Sequence, residues 1–198
     1  MRLKNFYYYF QNAISPDLCN KIIDLGLKQK ITEAKVLDND KKARKSRSTG
    51  LDEQWIYEIV NPYLQEANEK SLWKFDVDWS ETLQFTVYET DGFYDWHIDS
   101  GGDESFAYKD DRINFNNKIR KISMTMCLNN PKEYEGGELQ FDFGRDGSGK
   151  KLDIITCDEI KSQGSMVFFP SFVPHRVTPV TKGTRYSLVM WTLGKPFK

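Results

Sequence analysis

From Thr82 onward the chain runs as short apolar-rich segments, each closed by a turn signal. No other sequence feature restricts its possible folds as much. Leu83-Gln84-Phe85-Thr86-Val87-Tyr88 alternates apolar and polar side chains, the period of a strand with one face in a core. Further strand-like runs cover Ile119–Leu128, Gly137–Phe143, Leu152–Cys157, Ser165–Phe169, His175–Val180 and Thr184–Leu193. Asn129-Asn130-Pro131, Gly136-Gly137, Asp146-Gly147-Ser148-Gly149 and Lys182-Gly183 separate them. Many short strands with frequent turns indicate a sandwich or barrel.

The front of the chain follows a different grammar. Phe6–Phe10 reads as a short strand. Ser15-Pro16 then supplies an N-cap and a first-turn proline, ahead of Leu18, Ile22, Ile23 and Leu25 at helical spacing. A second helix is predicted over roughly Asp52 to Lys70, with Trp55, Ile56, Ile59, Tyr63 and Leu64 on one side and a break or kink at Pro62. The expected class is mainly β with flanking helices (α+β). Residues 1–198 are read as a single domain, with helical support over about 1–80 and a β-core over about 81–198. Ser100–Asn117 has no period, and as a long polar stretch it is read as a lid over a site rather than a disordered tip.

Bulk properties narrow the function classes. With 198 residues the chain has room for one sizeable core. A net charge of -1 provides no global field for nucleic acid or an anionic membrane. Cys19, Cys127 and Cys157 are odd in number and contain no Cys-x-x-Cys pair, which argues against a disulfide framework or zinc finger and fits a reducing compartment. No signal peptide and no membrane span is read from the sequence, so the expected location is cytoplasmic. The basic run from Lys41 to Arg47 is read as a solvated loop leading into the helix, and no nucleic-acid partner is expected.

The chain has only two histidines, and both stand in chemically suggestive text. His97-Ile98-Asp99 places an imidazole and a carboxylate two positions apart, on one face if the segment is a strand. Taken alone, the triplet is more often a loop cap beside a surface histidine. His175 follows in Val173-Pro174-His175-Arg176-Val177, and Arg185 in Gly183-Thr184-Arg185-Tyr186-Ser187. Two imidazoles and one carboxylate form the ligand set of a non-haem Fe(II) oxygenase, which leaves metal positions open for cosubstrate and oxygen. A guanidinium fork at Arg185 matches a carboxylate bidentately, although a surface salt bridge would explain it as well. Tyr88, nine positions before His97, carries a hydroxyl that can reach the same carboxylate, or it packs as strand tyrosines usually do.

Taken together, these strings resemble the 2-oxoglutarate- and Fe(II)-dependent dioxygenases, in particular the prolyl 4-hydroxylase-like branch. The similarity runs through Tyr88, Gly92, Tyr94 and His97-Ile98-Asp99. It continues through Leu128-Asn129 and Gly136-Gly137-Glu138-Leu139, and closes with Phe169-Pro170, His175 and Gly183-Thr184-Arg185. It is strong over roughly 82–195 and weaker in the front half, through Arg44-Lys45-Ser46. The resemblance implies a double-stranded β-helix (jelly-roll, cupin-like) core with the N-terminal helices packed on one sheet. It implies iron on His97, Asp99 and His175, 2-oxoglutarate on Arg185 with Tyr88 as helper, O2 as cosubstrate and ascorbate as a candidate reductant. Asp99 argues for hydroxylation, since related halogenases lack that carboxylate.

The substrate implied by the branch is a prolyl residue in a peptide or protein, with a free amino acid or other small molecule next. Collagen-type members usually carry lysine where this chain has Arg185. Two other classes remain open: a cupin-like metal-dependent isomerase or hydrolase, and a non-catalytic β-sandwich binding module. The sequence leaves the oligomeric state open.

Overall fold

Leu83, Phe85 and Val87 are almost inaccessible and join one large apolar cluster, while the alternate residues Gln84, Thr86 and Tyr88 point the other way. That alternation makes the strand a partition between two compartments. In the computed structural model, which describes residues 5–34, 43–144 and 152–197, the partition extends across a whole sheet.

The elements run β1 (Tyr8–Phe10), α1 (Pro16–Lys28), β2 (Thr32–Glu33), β3 (Arg44–Lys45), β4 (Arg47–Leu51), α2 (Gln54–Lys70), β5 (Trp79–Ser80), β6 (Leu83–Tyr88) and β7 (Phe93–His97). They continue with β8 (Ile119–Cys127), β9 (Tyr134–Gly136), β10 (Leu139–Phe141), β11 (Ile155–Thr156), β12 (Met166–Pro170), β13 (His175–Val177), β14 (Val180–Gly183) and β15 (Arg185–Gly194). A major sheet has the order β1-β12-β8-β15-β6-β4-β2, with β5 also on β15. A minor sheet has the order β11-β10-β13-β7-β3, and β14 pairs with β9. The pairing is antiparallel throughout, as in a jelly roll.

The helices cover one face of the major sheet. Ile22, Ile56, Val60 and Leu64 meet Phe85, Met124, Leu188 and Met190 in one cluster, so both expected helices do pack on a single sheet. A second cluster, with Leu139, Phe141, Val167 and Phe169, lies between the sheets. Because β8 is sandwiched between these layers, eight of its nine residues are buried. Ser15 caps α1 by accepting a hydrogen bond from the Leu18 N–H at 3.3 Å.

Four expectations change. Helix α2 passes through Pro62 without interruption; the proline is exposed, and Ile56, Val60, Leu64 and Ala67 hold the helix to the sheet on its other side. The segment read as a basic loop is strand in its described part. Arg44 and Lys45 pair with β7, and Arg47 pairs with Val87, while Lys41 and Lys42 fall outside the described residues. The aromatic text Phe93-Tyr94-Asp95-Trp96, which is not among the strand-like runs expected from the sequence, is strand β7. The loop 100–117 closes on itself through hydrogen bonds between Tyr108 and both Asn117 and Lys118, and it packs Phe115 against Trp79. Among the described residues, no helix is long and apolar enough to cross a membrane.

Gly26 sets how closely α1 approaches the sheet. A Cβ there would lie 2.4 Å from the Phe85 ring, inside contact distance, and that ring is fully buried. We expect Gly26→Ala to destabilise the fold by about 1–3 kcal/mol through overpacking. The melting temperature should fall by roughly 2–4 °C per kcal/mol lost for a chain of this size. An unchanged melting temperature would show that the helix moves away at no cost.

Candidate metal centre

The pairing of β7 with β13 places His97 and His175 directly opposite one another. Their rings lie 4.2 Å apart, centroid to centroid, on the same face of the minor sheet. Each Nδ1 lies against a backbone carbonyl two residues upstream, His97 on Asp95 at 2.7 Å and His175 on Val173 at 2.9 Å. If Nδ1 carries the proton in each ring, both Nε2 atoms keep a lone pair turned inward. The rings are also wedged, His97 against Tyr94 at 3.5 Å and His175 edge-on to Phe169 at 4.6 Å.

Asp99 completes the group by a route the strand argument did not anticipate. Strand β7 ends at His97, so Asp99 is not placed by alternation along a strand. Its backbone N–H donates to the Ser171 carbonyl at 2.9 Å, and the Ser100 N–H donates to the same oxygen. The carboxylate then lies 3.9 Å from His97 Nε2 and 3.6 Å from His175 Nε2. Ser123 donates to Oδ2 at 2.6 Å and is itself 2.9 Å from the Ser171 hydroxyl. One carboxylate oxygen is thereby occupied by the protein, and Oδ1 remains for a ligand.

Spacing and protonation both suit a metal ion. One donor atom from each of the three residues lies within 4.8 Å of the others. Two metal bonds of about 2.0–2.2 Å span up to about 4.4 Å, which accommodates the 3.9 and 3.6 Å between the Asp99 carboxylate and the two Nε2 atoms. Burial, then the neighbouring His175, pushes the His97 pKa down to about 3. Burial works against ionisation of Asp99, but His175, His97, Arg120 and the Ser123 hydroxyl outweigh it and hold the acid below its ordinary value. A neutral imidazole and an ionised carboxylate are the forms that ligate metals.

Arg185 reaches the same cavity from the opposite sheet. It opens β15 and pairs across the strand with Tyr88, with its guanidinium 5.4 Å from the centre of the Tyr88 ring. Its Nη1 is buried without a hydrogen-bond partner, and no carboxylate among the described residues lies within 4.0 Å. Leaving a buried charged donor unpaired is costly, so this atom calls for an anion. Gly137 makes room for the side chain, since a Cβ there would lie 2.9 Å from Arg185 Cδ. His97, Asp99, His175, Tyr88 and Arg185 thus line one cavity.

The structure brings all five sequence-identified residues together. Sequence reading missed Ser123 and Ser171, whose signal was a polar residue inside an otherwise buried strand and a serine directly after Phe169-Pro170. It also missed Arg44 and Trp191, which line the cavity too; Trp191 Nε1 is a second buried donor without a partner. No side chain of the loop 100–117 is among the residues that line the cavity.

Fold and site define a jelly-roll protein with a buried His–Asp–His cluster and an anion-seeking arginine in one cavity. The family model of the 2OG-Fe(II) oxygenase superfamily matches residues 83–193, and the chain belongs to that superfamily. A PKHD-type hydroxylase of Gloeothece citriformis is 37% identical over 110 residues, covering 56% of this chain and 41% of that protein. One from Delftia acidovorans is 34% identical over 111 residues, covering 55% and 42%. The chain therefore spans about two-fifths of the length of these curated relatives. Among solved structures, a Pseudomonas putida prolyl-4-hydroxylase superposes with a TM-score of 0.68 at 20% identity, covering 96% of this chain and 92% of that one. A viral collagen prolyl hydroxylase from Paramecium Bursaria Chlorella virus-1, in its 2OG complex, gives 0.67 at 17% identity, covering 96% and 97%. At these identities the structural likeness establishes the jelly-roll fold alone.

The Ser123 hydrogen bond yields a prediction about metal affinity. Removing a group that orients a ligand typically weakens metal binding about 10–100-fold. Ser123→Ala should do so for Fe(II) or Co(II) in a direct titration. Ser123→Thr, which keeps the hydroxyl, should bind more tightly than the alanine variant. Equal affinity in wild type and Ser123→Ala would remove Ser123 from the centre.

Proposed function

We propose that the chain is an Fe(II)- and 2-oxoglutarate-dependent dioxygenase that hydroxylates a prolyl residue of a peptide or protein, releasing succinate and CO2. The observation that carries this reading is the orphaned Arg185 Nη1, which shares one cavity with the His97–Asp99–His175 cluster. In this reading His97, Asp99 and His175 would hold the metal. Arg185 takes the far carboxylate of 2-oxoglutarate, and Tyr88 supports it. Bound iron with 2-oxoglutarate and O2 supplies the oxidising power for inserting oxygen into a C–H bond.

The protein's own residues do the remaining work. The backbone bonds from Asp95 and Val173 fix the imidazole tautomers, and Ser123 holds the carboxylate to one free oxygen. Phe169, Leu139 and Val177 give the cavity an apolar part of its wall, which limits competing water. Support for a peptide substrate comes from the hydroxylase relatives and from a fold neighbour, a Trichoplax adhaerens prolyl hydroxylase in complex with a peptide fragment. A free amino acid is the second reading, which the cavity's small size favours. The three buried free cysteines support a cytoplasmic, reducing setting. The apolar cluster running from Ile14 to Met190 supports one domain, with the helices as its buttress.

Anaerobic addition of Fe(II) and 2-oxoglutarate should give a weak visible charge-transfer band. Arg185→Ala should lose it at concentrations that saturate wild type. Peptides containing proline should gain 16 Da on turnover, and Asp99→Ala should release no succinate. Iron binding without the band would favour the cupin-like isomerase, and no metal uptake the binding module. Full succinate release from Asp99→Ala would overturn the ligand assignment.

A further inference from the structure

Arg44 is the second guanidinium in the cavity, and the proposed cofactor chemistry leaves it without a task. It lies on β3, the edge strand of the minor sheet, opposite Tyr94 of β7. Its guanidinium carbon sits 4.5 Å from the centre of the Tyr94 ring, and that ring in turn stacks on His97 at 3.5 Å. Guanidinium, phenol and imidazole therefore form one stack, with the cation a single ring beyond the metal cluster. The Arg44 Nε donates to Ser46 Oγ at 2.7 Å, which fixes the side chain from its other end. No carboxylate among the described residues lies within 4.0 Å of it, whereas its neighbours Lys45 and Arg47 reach Asp91 and Glu89. The half-buried Arg44 also contrasts with Arg185, which is almost fully inaccessible.

The charges in the cavity point to what Arg44 binds. Asp99 is the only acidic side chain among the lining residues, against Arg44 and Arg185. A divalent metal on Asp99 and a doubly charged 2-oxoglutarate on the metal and Arg185 balance one another. The positive charge of Arg44 is left over. A partly desolvated guanidinium is well served by a carboxylate, to which its fork bonds bidentately.

We propose that Arg44 is a substrate-binding residue and that the substrate carries a carboxylate on, or in the residue beside, the proline that is hydroxylated. This rests on the prolyl hydroxylase reading of the same site. Two sources share that chemistry: an Asp or Glu side chain beside an internal proline, and the α-carboxylate of a terminal or free proline.

The test is a set of proline peptides assayed with the iron- and 2-oxoglutarate-loaded protein. Capped peptides carry Asp or Glu beside the proline, or their amide counterparts Asn or Gln; the rest are a peptide ending in free proline and L-proline itself. Wild type should prefer an acid over its amide by roughly 10–100-fold in kcat/KM, as expected for a charged hydrogen-bonded pair. In Arg44→Gln that ratio should collapse towards one, and Arg44→Lys should recover part of it. Turnover of the capped acidic peptides would identify a side-chain carboxylate, and turnover of the free-proline substrates an α-carboxylate. The anaerobic charge-transfer titration should give the same 2-oxoglutarate affinity for Arg44→Gln as for wild type. An acid preference that survives Arg44→Gln, or no acid preference in wild type, overturns the proposal. Weakened 2-oxoglutarate binding in Arg44→Gln overturns it as well, by assigning Arg44 to the cosubstrate. If no proline substrate is hydroxylated, the prolyl reading fails and this inference fails with it.

Discussion

The antiparallel pairing of β7 with β13 is the constraint on which the site depends. It sets His175 opposite His97 and so fixes the separation of two imidazoles that are far apart in sequence. The register is not held by these two strands alone. Phe141 pairs with His175 on the far side of β13, and Tyr94 pairs with Arg44 on the far side of β7. Because strand side chains alternate, a one-residue slip in any of these pairs would turn an imidazole out of the cavity. The buried Phe141 and Val177 resist such a slip, since it would bring them to the surface.

The second half was legible because its signals were local. Alternation in Leu83–Tyr88 gave strand β6 to the residue, and the apolar text around Ile119–Leu128 gave β8 to within one. The helices were legible from Ser15-Pro16 and from apolar spacing. Strands β3, β4 and β7 were not, because their sequences are polar or aromatic without alternation: Arg44-Lys45, Arg47-Ser48-Thr49-Gly50-Leu51 and Phe93-Tyr94-Asp95-Trp96-His97. These are strands by partnership rather than propensity, held by neighbours distant in sequence. The missed residue Arg44 lies in such a segment, as does His97, which was found only through its chemistry.

The site was legible in its ligands and illegible in their supports. Histidine, aspartate and arginine declare themselves by type, but Ser123 and Ser171 do not. Their role exists only because β12 lies beside β8, which brings the two hydroxyls to 2.9 Å. The Gly136-Gly137 pair shows the same limit. The sequence marks it as a turn, and only the structure shows that the missing Cβ of Gly137 gives Arg185 its path into the cavity.

A comparison of two arginines explains why the orphaned atom of Arg185 is informative. Arg120 on β8 is also well covered, yet its guanidinium has an acid as its partner. It donates to both carboxylate oxygens of Glu81 at 2.6 and 2.8 Å and stacks on Trp191 at 3.9 Å. Tyr108 donates to the same carboxylate, which ties the loop 100–117 to the sheet. Arg120 is thus a structural arginine with an acid beside it. Arg185, on the adjacent strand, has the Tyr88 ring, the Tyr134 hydroxyl and an open cavity beside it, but no acid, and its Nη1 stays unpartnered. A buried cation with no internal counterion costs stability unless something else provides the anion. The contrast within one sheet therefore separates Arg120, which completes the fold, from Arg185, which the fold leaves incomplete and open to a ligand.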